Sequence, residues 1–385
     1  MNPLVIDCET TTFEKGHPFA QRNKLCLVGT FNGINHVVSS IEYRDDPYGP
    51  DLLRIQQAII VSDLLVFFNA KFDLHWLRRY GIDFKDKKIW DLQYAHFCLT
   101  GQEIKYPSLD GVLNYYQLPL KYDKVKLEYW DRNIDTPEIP LDVLEPYLKQ
   151  DCVSEWKVFQ KQIEELKDKP QLKKLIWYGC QDILVTEEME WNGLKFDLEL
   201  SLKLGEECLD KIREIDRKLG VVFGDYPFVN WNSGDHLSAI LYGGVLKYKG
   251  RESVSRVLKD GRVSVRERDV VKEVTLPTLV EPLKGTNLKK EGYYETNEGV
   301  LKSLKAYGKA KAIISLVLER AKIDKELGTY YNGFPKLYKE KDWTDSILHG
   351  QLNHCVTKTG RLSSSAPNQQ NLSEGIKQCL ISRFQ

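Results

Sequence analysis

The chain has 385 residues, which is enough for two or more domains with a hydrophobic core in each. Hydrophobic residues make up 42% of it and charged residues 29%, a composition that argues against long disordered regions. The formal net charge is zero, no apolar run approaches the length of a membrane span and no basic-then-apolar leader opens the chain, so we expect a cytoplasmic protein without a membrane partner.

Strand and helix patterns alternate over the first 170 residues. Leu4 to Glu9 is predicted to be a buried strand, and Leu25 to Phe31 pairs with Ile34 to Val38 as a hairpin through a primed turn at Asn32-Gly33. A further strand is predicted at Leu64–Phe68. Three helices are predicted at Asn69–Tyr80, Trp90–Leu99 and Leu141–Leu166, and Asn69 is expected to cap the first of these helices. This order predicts an α/β domain that ends at Pro170.

Helical periodicity dominates after Pro170. Helices are predicted at Leu172–Glu190, Leu200–Leu219 and Glu298–Leu327, with Gly193 and Gly220 ending the first two. Gly243 to Thr286 is rich in β-branched residues around an Asp260-Gly261 turn signal, which predicts an inserted β-rich excursion. Extended segments and loops are predicted after Trp343. The eight cysteines form no CxxC pair, which argues against a zinc ribbon or a redox motif and indicates reduced thiols.

Four acidic residues in the first 151 positions could be aimed into one cleft. Asp7 and Glu9 alternate on the first strand and so project from one face, Asp73 lies in the first turn of a predicted helix, and Asp151 lies one turn after Tyr147. Carboxylates that converge without basic partners repel one another, and divalent cations would relieve the repulsion. Taken singly, each has a plain structural explanation, such as a solvated strand, a favourable charge at a helix N-terminus or a hydrogen bond on a helix surface.

Taken together, these motifs resemble a known family. DxE on a first strand, NxxFD at a strand-to-helix junction and YxxxD on a late helix are similar to the exonuclease motifs of the tyrosine-bearing branch of the DEDD superfamily. The resemblance covers about residues 1 to 170 and implies an RNase H-like fold that hydrolyses phosphodiesters at 3′ ends. It implies two divalent ions, Mg²⁺ or Mn²⁺, with Asp7 bridging them, Glu9 and Asp151 on the nucleophile side, and Asp73 on the outer ion through water. Tyr147 would orient the attacking water.

A second resemblance extends to the C-terminal half. EEMEWNGLKFD at 187–197, NWNSGDHLSAIL at 230–241 and Tyr294 to Leu304 are similar to elements of family A, DNA polymerase I-like, DNA polymerases. TKTGRLSSSAPNQQN at 357–371 is a close match to their thumb–palm junction, apart from Gln369 in place of the usual leucine. The residues that this resemblance assigns to DNA contact are Thr359, Arg361, Ser363, Ser364, Ser365, Asn368 and Asn371, together with Asn69 of the nuclease motif.

Basic residues are concentrated in one stretch of the chain. From Lys247 to Lys311 there are 16 Lys or Arg against 9 Asp or Glu. A polymerase thumb grips duplex DNA mainly through its phosphates, so Lys247, Lys249 and Arg251 are predicted to bind DNA. The alternative is a solvated surface insertion without a role in the chemistry.

The resemblance divides the chain into three predicted ranges. Residues 1–170 would be the exonuclease domain, 171–342 a mainly helical thumb with a basic insertion at about 243–290, and 343–385 the start of a palm. The family's palm aspartate and fingers helix do not occur before Gln385, so we expect either a truncated chain or, preferably, a split polymerase whose palm and fingers are on a second polypeptide. The lack of a 5′ nuclease domain is phage-like, which would place the protein in the bacterial host cytoplasm.

Two other functions stay open at this point. A free-standing exonuclease that trims DNA or RNA would need residues 1–170 alone, and the TGRLSSS segment argues against it. A non-catalytic DNA-binding or processivity subunit would need no intact nuclease site, and the complete set of acidic motifs argues against that. The favoured function is a proofreading 3′-5′ exonuclease that acts on single-stranded 3′ ends and primer–template DNA.

Overall fold

The structure is a computed structural model that describes residues 2–43, 51–120, 124–224, 226, 228–257 and 263–383. Its strands are β1 Pro3–Thr10, β2 Leu25–Phe31, β3 His36–Ser40, β4 Leu64–Phe67, β5 Lys88–Asp91, β6 Leu194–Phe196, β7 Gly244–Val257, β8 Val263–Leu276, β9 Ile347–Leu348, β10 Gln351–Asn353, β11 Ser363–Ser365 and β12 Leu380–Ile381. Its helices are α1 Asp51–Ile60, α2 Ala70–Arg79, α3 Leu92–Leu99, α4 Leu109–Tyr115, α5 Lys124–Glu128, α6 Leu141–Glu165, α7 Pro170–Asn192, α8 Leu198–Phe223, α9 Gly234–Tyr242, α10 Glu298–Ser303, α11 Gly308–Glu326, α12 Gly333–Glu340 and α13 Glu374–Lys377.

A five-stranded mixed sheet organises the first part of the chain. Its order is β3-β2-β1-β4-β5, with β1, β2 and β3 antiparallel and β4 and β5 parallel to β1. All residues of β2 and β4 are buried, because helices cover the sheet and the apolar runs of these strands pack on both faces. The predicted α/β fold of this part is confirmed.

The structure separates into two compact units. The first comprises Met1–Leu198 with Phe334–Gln385, and the second comprises Glu199–Gly333. These boundaries differ from the predicted ranges, because α7 and the C-terminal segment belong with the sheet-containing unit. Each unit has a hydrophobic core of its own, the first around the five-stranded sheet and the second around α8, α9 and α11.

Several local predictions were wrong. Phe31 pairs with His36, so the hairpin loop has four residues, and the Asn32 side chain accepts hydrogen bonds from the Ile34 and Asn35 amides in place of a primed turn. Trp90 belongs to strand β5, not to a helix. Helix α8 continues through Gly220 to Phe223.

The C-terminal half shows one further difference from the predictions. The predicted helix from Glu298 to Leu327 is interrupted between α10 and α11, where Leu304 is extended and Gly308 adopts a positive φ of 52°. The β-rich excursion is confirmed as the antiparallel ribbon β7–β8, and its Asp260-Gly261 turn lies outside the described residues.

Two predictions about the setting of the chain can be compared with the structure. All eight cysteines are buried and free, in agreement with the predicted reduced thiols. Within the described ranges, the helices are too short or too polar to cross a lipid bilayer.

Candidate active site

Strand β1 holds two of the predicted ligands on one face. Asp7 and Glu9 are separated by one residue, so their side chains project together, and Asp7 is half-buried while Glu9 is buried. Carboxylate oxygens of Asp7, Glu9 and Asp151 all lie within 4.8 Å of one another. The structure therefore brings together three of the four predicted acidic ligands as one cluster.

Helix α6 packs closely against β2 next to this cluster, because a glycine of β2 leaves room for the helix. Gly29 pairs with Asp7, and a methyl group at Gly29 would lie 2.8 Å from Cys152 Sγ and 2.8 Å from Leu148 Cγ. The helix can rest on the strand only because that methyl group is missing. Asp151, next to Cys152 on α6, is thereby carried over the face that bears Asp7.

Asp73 occupies the end of the parallel ladder. The pairing of β1 with β4 stops at Val5, and beyond it the Asp73 Oδ1 accepts a hydrogen bond from the Cys8 amide at 3.0 Å. Burial raises the pKa of Asp73 well above its usual range, and the negative charge of Asp7 raises it further. Asp73 thus lies beside the cluster, where the charge of Asp7 acts on it, and one of its oxygens is hydrogen-bonded to the backbone of β1.

The start of α2 is fixed by a residue that the sequence analysis missed. Asn69 precedes the helix with a positive φ of 66° and makes no side-chain cap bond. Instead, Asp91 Oδ2 accepts from the Ala70 amide at 2.7 Å, and its Oδ1 accepts from the Tyr94 amide at 2.8 Å. One buried aspartate thereby holds the first turns of both α2 and α3. Its position at the end of a strand and just before a helix was the signal that could have identified it.

Tyr147 lies on α6 one turn before Asp151, as predicted. Its ring packs edge-on against Trp130, with 5.7 Å between the ring centroids. The contact restricts the ring of this half-buried side chain.

The donor set suits hard divalent cations. Carboxylate oxygens are the ligands that Mg²⁺ and Mn²⁺ prefer. The neighbouring thiols of Cys8 and Cys152 do not compete, because burial and the surrounding carboxylates raise the pKa of both well above the usual range and keep them protonated. Asp7, Glu9 and Asp151 are therefore the residues that could hold a metal ion, and Asp73 is next to them.

A buried ion cluster joins α2 to α7 and was not anticipated from the sequence. The Arg78 guanidinium contacts both oxygens of Glu187, at 2.8 and 2.6 Å. The His75 ring lies 3.1 Å from Glu187 and 3.0 Å from Glu190, and the Lys71 ammonium lies 2.6 Å from Glu190. We call these five residues the α2–α7 ion cluster.

The α2–α7 ion cluster continues into the C-terminal segment. Lys71 donates to the Leu352 carbonyl, and the Leu352 amide donates to Glu190 at 2.6 Å. Leu352 is the middle residue of β10, which pairs with β11 at Ser363–Ser365. Helix α2 is thus connected through Leu352 of β10 to β11, which holds three of the predicted DNA-contact residues.

The residues predicted to contact DNA through the 357–371 segment are in different environments. Ser364 is buried, and its hydroxyl accepts from the Gln369 amide at 3.0 Å, while Ser365 accepts from the Asn353 amide group at 3.0 Å. The exposed members of the set are Thr359, Arg361, Asn368 and Asn371, and Ser363 is half-buried. The Gln369 side chain, which replaces the family's leucine, lies against Gly350.

Lys247, Lys249 and Arg251 all lie on the exposed strand β7. Lys247 forms an ion pair with Glu273 at 2.7 Å, and Arg251 forms one with Glu267 at 3.1 Å. Asn69 lies in the sheet-containing unit, where it lines a cavity of about 270 Å³ together with His17, Lys71, Gln351 and Asn353.

Two known families match the chain. The 3′-5′ exonuclease family matches residues 1–189, and DNA polymerase family A matches residues 271–383. The two ranges together cover well over half of the chain.

Known relatives are DNA polymerases. The chain is 26% identical to DNA polymerase I of Bacillus subtilis over 231 residues, which are 60% of this chain and 21% of that protein. It is 30% identical to the thermostable DNA polymerase I of Thermus filiformis over 207 residues, 52% of this chain and 19% of the relative. It is 24% identical to the DNA polymerase of Bacillus phage SP01 over 407 residues, 96% of this chain and 41% of the relative. The chain thus spans between about a fifth and two fifths of the length of these curated relatives.

A solved structure has the same fold. The POL domain of Pol1 from M. smegmatis, in complex with DNA primer-template and dNTP, matches 98% of this chain and 53% of its own with a TM-score of 0.65. The sequence identity is 16%, so this likeness concerns the fold alone.

Proposed function

Because this chain belongs to the family A DNA polymerases and has the family's 3′-5′ exonuclease domain, we propose that it removes nucleotides from the 3′ end of DNA by hydrolysis of the terminal phosphodiester. The observation that carries the proposal is the convergence of Asp7, Glu9 and Asp151 within 4.8 Å. Three acidic groups this close repel one another unless cations lie among them. A cluster of this kind is suited to the binding of divalent ions at a scissile phosphate.

The mechanism assigns each side chain a task. Asp7, Glu9 and Asp151 would hold the ions, which would supply nucleophile activation and charge neutralisation, and Asp73 lies beside them. The Tyr147 hydroxyl orients the attacking water, and its ring is held in place by Trp130. A mismatched 3′ end enters the site readily, because an unpaired base is easier to unstack.

The test of this function is the release of mononucleotides from a 3′-labelled single strand with Mg²⁺ or Mn²⁺. Asp7→Asn and Asp151→Asn are each expected to lower the rate by at least about 10²-fold. Asp142→Asn, an exposed change in the first turn of the same helix, is the matched control and should leave the rate unchanged. Digestion at the unaltered rate by both site variants would refute the assignment.

We infer that the chain also contacts primer–template DNA. The match to DNA polymerase family A over residues 271–383 supports this, and so does the exposure of Thr359 and Arg361 in the segment that resembles the family's thumb–palm junction. Arg361→Ala should weaken binding to a primer–template duplex without changing the digestion of a single strand. Equal affinities of the variant and the unaltered protein would remove Arg361 from the contact.

Polymerisation together with a second polypeptide that carries palm and fingers stays a prediction. Replication of a phage genome in a host cytoplasm is the setting that similarity to the SP01 polymerase supports. Co-purification from the native source, followed by a polymerisation assay with and without the captured chain, tests the partner. Primer extension by this chain alone would contradict the need for one.

The two other functions have less support. A free-standing exonuclease is disfavoured by the polymerase family match at residues 271–383. A non-catalytic clamp subunit is disfavoured by the convergence of Asp7, Glu9 and Asp151. The mononucleotide assay combined with duplex binding distinguishes all three functions, because only the favoured one requires both activities.

A further inference from the structure

Among the residues that the structure describes, the ribbon β7–β8 packs on a hydrophobic core at its base. Leu246 and Leu276 belong to the core of the second unit, and the Tyr248 ring stacks on Phe228 with 3.7 Å between the ring centroids. Beyond this base, the side chains from Arg251 to Arg256 and from Val265 to Asp269 are exposed. Two strands without a covering layer are only marginally stable in water, so a surface of this shape is suited to a partner.

One face of the ribbon is electrically balanced. Residues paired across two strands share a face, so the register places Lys247, Lys249 and Arg251 with Glu273, Val271 and Asp269. Glu267 also lies on this face, because it pairs with Ser253, two positions after Arg251. The three cations are therefore matched by the three carboxylates of Glu273, Asp269 and Glu267. Ion pairs form between Lys247 and Glu273 at 2.7 Å and between Arg251 and both Glu267 and Asp269 at 3.1 and 3.8 Å. We call this surface the paired face.

The opposite face is strongly basic. Its register pairs are Arg256 with Ser264, Val254 with Arg266 and Glu252 with Arg268. Nearer the base, Lys272 pairs with Tyr248, and the Lys272 stem lies over Gly250. Among the described residues of this face, four cations stand against the single carboxylate of Glu252. A pocket of about 420 Å³ is lined on this face by Val254, Arg256, Ser264, Arg266 and Arg268. Its remaining lining residue, Glu267, forms an ion pair with Arg251. We call this surface the arginine face.

We propose that the arginine face binds the phosphate backbone of duplex DNA, as a contact separate from the nuclease site. The inference rests on the proposed function as a DNA enzyme and specifies which surface of the insertion touches the duplex. Guanidinium groups bind phosphate oxygens through two parallel hydrogen bonds. Arg266 and Arg268 are two positions apart on β8, so their backbones are spaced by about 7 Å on the same face of the strand. A two-stranded ribbon also has the width that the major groove admits.

We assign the contact to phosphates. In the described part of the arginine face, the polar side chains are cationic apart from Tyr248, Glu252 and Ser264, and asparagine and glutamine, the usual readers of adenine, do not occur there. Backbone contacts without base readout position a protein on DNA and add a salt-dependent part to the affinity.

The experiment compares two triple variants of the full chain. Binding to a fluorescently labelled primer–template duplex is measured over a range of KCl concentrations without divalent ions. Arg256→Ala with Arg266→Ala and Arg268→Ala should reduce the slope of log affinity against log salt by about 2 to 3, since each phosphate contact contributes about 0.9. Lys247→Ala with Lys249→Ala and Arg251→Ala removes the same number of cations from the paired face and should reduce it by less than about 1.

Two further measurements make the outcome decisive. Replacement of the three arginines by lysine keeps the charges and should retain most of the slope, which separates phosphate binding from a folding defect. Digestion of a single strand by the unaltered protein tests the nuclease proposal separately, and its failure would refute that proposal alone. Equal slopes for the two alanine variants, a larger loss from the paired face, or no binding of duplex by the unaltered protein would each overturn the arginine-face proposal.

Discussion

Gly29 is the residue on which the arrangement of the acidic cluster depends most directly. It pairs with Asp7 across the sheet and leaves room for Leu148 and Cys152 of helix α6. The φ angle of Gly29 is not positive, so this glycine is needed for the space that it leaves and not for an unusual backbone conformation. A substitution there acts on Asp151 through the position of the whole helix.

We expect Gly29→Ala to lower the free energy of unfolding by about 1 to 3 kcal/mol, because a methyl group 2.8 Å from two side-chain atoms overpacks the interface. Exonuclease activity should fall more than stability alone explains, since α6 carries Asp151. Chemical denaturation and the mononucleotide assay measure the two effects. Gly220→Ala, in a helix with open space around it, should instead stabilise by about 0.5 to 1 kcal/mol. Unchanged activity in Gly29→Ala would contradict the argument.

A second prediction at this scale concerns metal binding without catalysis. Manganese added to the metal-free protein should raise its melting temperature, because ions bound only by the folded state stabilise it and relieve the repulsion among Asp7, Glu9 and Asp151. The rise should disappear in Asp7→Asn and persist in Asp142→Asn. Differential scanning fluorimetry against manganese concentration makes the comparison, and an equal rise in all three proteins would show that the ions bind elsewhere.

Helix α2 has two functions on two sides. One side places Asp73 beside the acidic cluster, and the other side supplies Lys71, His75 and Arg78 to the α2–α7 ion cluster. Buried charges of this kind are costly to desolvate, so their net stabilisation is small, but removal of one partner leaves the others uncompensated. The cluster therefore fixes the relative position of α2 and α7.

The ion cluster predicts a pH dependence of stability. Burial alone would raise the pKa of Glu190, but hydrogen bonds from His75 and the charge of Lys71 outweigh it and hold the pKa below the ordinary value of 4.5. The ionised carboxylate thus contributes stability above about pH 4.5, and this contribution is lost as the pH falls through the lower folded-state pKa.

Glu190→Gln should lower the free energy of unfolding by about 3 kcal/mol at pH 7 and flatten its decline below pH 4.5. Urea denaturation between pH 3 and 7, with linear extrapolation to zero urea, gives the free energy of unfolding at pH 7 and its decline below pH 4.5. Glu188→Gln, an exposed change two residues away on α7, should follow the curve of the unaltered protein. Parallel curves for the two variants would mean that Glu190 has no special share in acid sensitivity.

The elements that could be predicted from sequence are those whose signal is local. The alternation of β1 and the periodicity of α6 come from neighbouring residues, which is why the DxE and YxxxD motifs were located on the correct elements. Asp91 and the α2–α7 ion cluster were missed because their partners are distant in sequence, with His75 and Glu187 112 residues apart. The space above Gly29 is likewise a property of the packed helix and not of the strand. The prediction of a primed hairpin turn was wrong because the Asn32 side chain accepts hydrogen bonds from the Ile34 and Asn35 amides, which favours a different loop.

At the scale of the whole molecule, one compact unit is built from two separate stretches of chain. Residues 1–198 and 334–385 form it, and residues 199–333 form the other. The two stretches meet where the rings of Phe196 and Phe334 are 5.6 Å apart between centroids. All of the acidic site residues, together with the core that supports them, belong to this discontinuous unit.

We therefore expect residues 199–333 to be replaceable by a short glycine–serine linker with retention of exonuclease activity on single strands. Duplex affinity should fall, because the arginine face is removed with the insertion. Deletion of 334–385 as well, which removes Leu352 from Lys71 and Glu190, should destabilise the remainder by several kcal/mol, on the order of a broken buried ion pair. Thermal unfolding and the mononucleotide assay test both chains, and an inactive linker variant would show that the nuclease needs the second unit.

Strand β6 determines the order in which the chain can fold. It is the central strand of a small sheet whose outer strands, β9 and β12, come from the C-terminal segment, with Leu194 opposite Leu348 and Phe196 opposite Leu380. During synthesis, β6 emerges from the ribosome long before either neighbour, because the intervening unit must be synthesised first. Closure of so long a loop is entropically unfavourable and slow, so completion of this sheet is a late step, and the open edges of β6 are a point where a nascent chain would need protection by chaperones.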